Sequence, residues 1–154
     1  MIYFITSAIL ILTVFAFFLF GAHGSFGRAQ WFLRVVVALP LLASGVLHFT
    51  RTALLATIVP PFFPHRSLLV LVSGAMELAG AVGLLLPAFT RAASACLALL
   101  MVAIFPANVY AANQSVGGLH MPSVPIRTVL QVVYIVLLLL AGWGFPHRPR
   151  RVSA

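Results

Sequence analysis

Hydrophobic and polar positions along this chain fall into long blocks. Read in windows of about 19 residues, the sequence contains five apolar runs: residues 2–20, a second beginning near Trp31, then 67–86, 92–112 and 126–144. Each approaches the roughly 20 residues a helix needs to cross a hydrocarbon core. A membrane barrel is built instead from segments of about 10 residues with alternating polarity. These runs do not alternate, so helices are expected. The pattern predicts an all-α membrane protein: an antiparallel four-helix transmembrane bundle over residues 30–145, an additional N-terminal transmembrane helix within 1–22, and a basic C-terminal tail over 146–154.

The boundaries carry information of their own. Ala22-His23-Gly24 has the small-x-small form of a signal-peptide cleavage site. No lysine or arginine precedes the first run, however, and about 18 apolar residues is long for a signal core, so a retained helix is favoured. The second run continues past His48 through the apolar stretch 53–59, with no turn signal before Pro60-Pro61. A long helix to about Val59 is expected, kinked at Pro40, where a backbone hydrogen bond is lost. Pro60-Pro61-Phe62-Phe63-Pro64-His65 reads as a stiff aromatic turn at the membrane surface. Pro106 is expected to kink the fourth helix and free the carbonyl of Val102.

Polar residues inside apolar helices are costly, and each is a functional hypothesis. The chain contains one acid, Glu77, ten residues into the third run. An unpaired carboxylate there costs about 2.5–3.5 kcal/mol or more, so it is either protonated or paired. Counting depth back from the turn, Val59 lies level with Ser67, which puts Glu77 near residue 49. Ser44, Gly45, His48, Arg51 and Thr52 share one helical face by their spacing, and Ser73, Gly74, Glu77, Gly80 and Ala81 share another. Ala75, Ala79 and Gly83 form a small-residue seam suited to close helix contact. Facing stripes predict a His48–Arg51–Glu77 cluster. Asn108, Tyr110 and Asn113 on the fourth helix, and Thr128, Gln131 and Tyr134 on the fifth, add polar groups in the same half of the bundle. A polar pocket opening toward that half is the expectation, with interhelical polar glue as its bland counterpart.

Composition agrees with the block pattern. Hydrophobic residues make up 63% and charged residues 6%, against about 45–50% and 25% in soluble domains. A net charge of +8 invites a nucleic-acid reading, but binding nucleic acid needs a clustered basic face. Here the nine basic residues are all arginine, and most sit singly at the edges of apolar runs, where they orient helices. With the N-terminus outside and the C-terminus inside, Arg28, Arg34, Arg91, Arg148, Arg150 and Arg151 lie inside and Arg51, Arg66 and Arg127 outside. The lone Cys96 excludes an intrachain dithiol. The five histidines show no i, i+3 or i, i+4 metal pair, and no phosphate loop or nucleophile elbow is present. Asn113-Gln114-Ser115 matches a glycosylation sequon, a pattern common by chance.

Several strings occur together in order: Ser44-Gly-Val-Leu-His-Phe49, Ile58-Val-Pro-Pro61, Ser73-Gly-Ala-Met-Glu-Leu-Ala-Gly80, Leu86-Pro87 and Phe105-Pro-Ala-Asn-Val-Tyr110. They resemble the DoxX family of small bacterial membrane proteins over residues 31–144. The resemblance implies a four-helix bundle in the cytoplasmic membrane, with His48, Glu77 and Asn108 on the family-like motifs. It also implies membership of a redox-associated complex, by likeness to a small subunit of a thiosulfate:quinone oxidoreductase and to a membrane partner in oxidative-stress defence. The leading expectation is therefore a redox-associated membrane subunit holding a quinone-like lipophile. Its candidate ligand-binding residues are His48, Arg51, Glu77, Asn108, Tyr110 and Gln131, with Phe49, Phe62 and Phe63 packing on the ring. The expected partners are the bilayer, proteins of a redox complex and a second copy of the chain, and not nucleic acid. The alternatives are a proton-coupled exporter resembling the small multidrug transporters and a scaffold without chemistry.

Overall fold

The computed structural model describes residues 26–112 and 114–144. The N-terminal run 1–22, the Ala22-His23-Gly24 site, Asn113 with its sequon, and the basic tail lie outside the described residues. The described elements are α1 (Phe26–Thr50), α2 (Thr52–Ala56), α3 (Arg66–Leu85), α4 (Thr90–Ala103), α5 (Phe105–Ala111), a hairpin of β1 (Ser115–Val116) and β2 (Leu119–His120), and α6 (Val124–Trp143). Three helices are long and apolar enough to cross a membrane, and the bent pair α4–α5 makes up to a fourth span. The protein is a helical membrane protein. Its outward faces carry Leu39, Val46, Val72, Val82, Leu99 and Val132, side chains that suit lipid and not water.

Each long helix packs on the next, α1 on α3, α3 on α4 and α4 on α6, and α6 closes back onto α1. The core between them is Leu33, Val37, Leu41, Ala81, Leu84, Leu97, Leu100 and Leu138 with their neighbours. Lipid tails are as apolar as these side chains, so close backbone approach, not water exclusion, holds membrane helices together. Glycines provide it here. A Cβ on Gly45 would sit 2.6 Å from Leu78 Cγ, and one on Gly74 would overlap Cβ of His48. Gly80 and Gly83 accept Leu97 and Ala93 of α4 in the same way. The small-residue seam thus differs from the expected one: Ala75 and Ala79 face outward, and of that trio only Gly83 lies in a helix contact.

The two ends differ. At one, Arg34 Nε donates to the carbonyl of Ala141 at 3.0 Å. Trp31 and Trp143 are both exposed there, as befits interfacial tryptophans. At the other, the chain turns through α2, the Phe62–Phe63 turn and the hairpin, whose Gly117 lies against Leu54 of α2. The hairpin pairs Ser115 with His120 and Val116 with Leu119. Its two loop residues, Gly117 and Gly118, have φ of 58° and 78°, the two-residue turn that needs positive φ at both positions. The sequence reading passed over this Gly-Gly signal.

Two helix boundaries also moved. The helix expected to run to Val59 breaks at Arg51, whose φ of −128° and ψ of 31° leave the helical region, and resumes as the short α2. The fourth run is two helices meeting at 41°. Pro106 sits in the first turn of α5, where its missing N–H costs nothing.

The α1–α3 contact yields a prediction. Gly74→Ala should lower stability by about 1–3 kcal/mol through overpacking, read as a lower thermal midpoint in detergent. Ala79→Ser, on the outward face of the same helix, should leave that midpoint unchanged.

Candidate functional site

Two polar clusters lie inside the bundle. The first joins α1 to α3. Because Gly74 has no side chain, the His48 imidazole lies directly on α3, one turn from Glu77. His48 Nδ1 is 3.7 Å from Glu77 Oε2, and the two side chains are 17% and 4% exposed. Nδ1 also stands 2.8 Å from the carbonyl of Ser44. A carbonyl only accepts, so Nδ1 carries the hydrogen and donates it there, which leaves the Nε2 lone pair of the neutral ring free. The Ser44 side chain is a hydrogen-bond partner of the Glu77 carboxyl. Glu77 Oε2 is nonetheless buried without any hydrogen-bond partner. Tyr134 on α6 is close enough to interact with the Glu77 charge, and its hydroxyl donates to the carbonyl of Val37 at 2.7 Å.

The second cluster joins α4, α5 and α6. The break after Ala103 strips the last carbonyls of α4 of their i+4 amides. Gln131 Nε2 supplies a donor to the Met101 carbonyl at 2.7 Å, a carbonyl one residue before the expected Val102. Asn108 Nδ2 donates to Gln131 Oε1 at 2.6 Å. Arg127 donates to Asn108 Oδ1 at 2.7 Å and reaches the Met121 sulfur at 3.7 Å. Met121 and Val116, at the base of the hairpin, are buried over this group.

The expected site residues therefore divide. His48 and Glu77 meet. Arg51 does not join them: it is exposed at the α1–α2 break, and the described ion pair of Glu77 is with His48. The reason is register. Residues 52–59 turn away as α2 and a loop instead of extending α1 axially. Glu77 consequently lies level with 44–48, about one helical turn below the position counted from Val59. Asn108 and Gln131 belong to the second cluster. Tyr110 is exposed, and its carbonyl accepts from the Gln114 side chain. Phe49, Phe62 and Phe63 are exposed and do not line the His48–Glu77 pair. Thr128 turns back to the carbonyl of Val124 in its own helix.

Sequence reasoning missed Arg127, which was placed at a membrane edge and is 6% exposed. Its spacing was the available signal: Arg127, Gln131 and Tyr134 fall at i, i+4 and i+7, a stricter helical face than Thr128, Gln131 and Tyr134. Among the described residues no three His, Cys, Asp or Glu side chains gather as a metal site. Cys96 is exposed on α4. The two principal surface grooves lie elsewhere, one beside Val136 and Trp143 and one between α2 and the start of α3.

Residues 37–141 match the model of a family described as a domain of unknown function (DUF8561), and the chain belongs to that family. The matched stretch contains both polar clusters. No curated protein and no solved structure matches the chain.

The clusters differ in what they lose on mutation. Gln131→Leu strands the Asn108 amide and the Met101 carbonyl, and should cost about 1–2 kcal/mol. Glu77→Gln removes no hydrogen bond from Oε2 and should leave stability unchanged or higher. Thermal unfolding of both variants in one detergent tests the contrast.

Proposed function

We propose that this DUF8561 member is an antiparallel four-helix transmembrane bundle of DoxX-like type in the bacterial cytoplasmic membrane. Its N-terminus lies outside and its C-terminus inside, after an additional N-terminal transmembrane helix. In this reading it serves a redox complex as a membrane subunit that exchanges protons with a quinone-like lipophile at the His48–Glu77 pair. One observation carries the reading: Glu77 Oε2 is buried, lacks a hydrogen bond and lies 3.7 Å from His48. Polar glue satisfies its groups, as the Arg127–Asn108–Gln131 chain does. A buried polar atom left unsatisfied calls for a different explanation.

The geometry supports a defined division of labour. Ser44 holds the Nδ1 hydrogen, so Nε2 is the base available to the hydroxyl of a quinol-like ligand. The partly exposed edge of His48 is the face such a ligand meets. When Nε2 takes a proton the ring becomes a cation, and the Glu77 carboxyl behind it is the group placed to balance that charge. Arg51 has no part in this arrangement. Electrons from the ligand pass to a partner subunit, since a single cysteine supplies no dithiol. A second reading draws on the broken pair α4–α5, bent by 41° beside a buried polar cluster. Discontinuous helices of this kind build transporter sites, and proton-coupled export would use the same carboxyl.

Titration of the full chain in nanodiscs with a ubiquinol analogue tests the first reading. Saturable binding should weaken about tenfold or more in His48→Leu, the loss of a hydrogen bond to an ionisable partner, and less in Glu77→Gln. Wild-type protein that shows no saturable binding would overturn it. Proton flux in liposomes coupled to a cationic substrate and lost in Glu77→Gln would move the assignment to export.

A further inference from the structure

The end of the molecule that carries the hairpin holds a feature unrelated to the His48–Glu77 pair. An open groove of about 680 Å³ lies between α2 and the first turn of α3, lined by Ala56, Thr57, His65, Arg66 and Ser67 among others. Its volume is within the usual range for small-molecule sites, about 300–1,000 Å³. Its depth is set by the helices. The first span ends at Thr50 and the next begins at Arg66, so the groove lies where both leave the hydrocarbon. Phe62 and Phe63 stand on the adjoining turn, 73% and 36% exposed, with ring centroids 4.6 Å apart. Aromatic rings of this kind sit at the headgroup boundary.

The groove is built to receive negative charge. Arg66 is exposed and makes no hydrogen bond or ion pair among the described residues. The chain's one acid, Glu77, is buried beside His48, so no carboxylate side chain is left to neutralise Arg66. The Ser67 hydroxyl is likewise unengaged among the described residues. His65 adopts φ 52°, an uncommon conformation for a bulky residue. In it, the His65 carbonyl accepts from the N–H groups of both Leu68 and Leu69. The N–H groups of Arg66 and Ser67 then face outward without a side-chain cap. Guanidinium, imidazole, hydroxyl and two backbone donors converge on one opening. That donor set matches a phosphate group, which only accepts.

We infer that this groove binds a phosphate-bearing anion at the membrane surface, with Arg66 as the charged donor and His65 and Ser67 completing the contact. The phosphate comes from a lipid headgroup or from a soluble phosphate ester, and the experiment separates the two.

The test is thermal unfolding of the full chain in neutral detergent, titrated separately with phosphatidylglycerol, diacylglycerol and inorganic phosphate. Variants Arg66→Gln and Arg91→Gln are run beside the wild type, since Arg91 is an exposed arginine at the opposite end. Phosphatidylglycerol should raise the wild-type midpoint saturably. Its apparent affinity should fall about fivefold to tenfold in Arg66→Gln and stay unchanged in Arg91→Gln. A saturable response to inorganic phosphate of equal strength, with the same dependence on Arg66, assigns the groove to a soluble phosphate. A diacylglycerol response equal to that of phosphatidylglycerol would overturn the inference. So would equal losses in the two arginine variants, or no saturable response to either phosphate probe.

Discussion

The contact between α1 and α3 governs the rest of the interior. Two glycines, Gly45 and Gly74, bring the helix backbones so close that His48 lies directly on α3. In lipid no hydrophobic force presses helices together, so this close packing is itself a main source of cohesion. It also decides the chemistry. With the imidazole seated on Gly74, its Nδ1 is held between the Ser44 carbonyl and Glu77 Oε2. The carboxyl is sealed against lipid by the same approach. A side chain at position 74 larger than hydrogen would lift His48 away from α3, where the pair forms.

A second constraint shapes the opposite wall. Any break in a membrane helix releases carbonyls that lipid cannot satisfy. The bend between α4 and α5 releases such carbonyls, and Gln131 answers one of them at Met101. Asn108 and Arg127 then follow as a chain of donors and acceptors reaching Met121 under the hairpin. This wall is polar because its backbone is broken, whereas the α1–α3 wall is polar although its backbone at Glu77 is intact helix. That difference is the physical ground for separating structural from functional polarity here. Tyr134 stands between them, tied to Val37 and within the field of Glu77.

Both candidate sites depend on features that cost stability and persist. A buried carboxyl oxygen goes without a hydrogen bond, and a histidine holds a left-handed backbone at the head of α3. The two lie at different depths, one within the bundle and one at the headgroup boundary. A lipophile would reach the first from the bilayer and an anion the second from the membrane surface, so the sites do not compete for access.

The sequence by itself determined the helices, because a hydrocarbon environment demands about 20 apolar residues per span and tolerates few exceptions. For the same reason the lone acid stood out, and its pairing with His48 across a hairpin was legible from spacing. The Gly117-Gly118 turn was equally legible and went unread. Register was not legible. Whether residues 52–59 extend α1 or fold away changes the level of Glu77 by about one turn, and that shift removes Arg51 from the cluster. Nor was it legible that Arg127 turns inward while Ala75 and Ala79 turn outward, since rotation about a helix axis is set by which neighbour fills each groove. Periodicity along one helix defines a face. Only packing among several helices decides what that face meets.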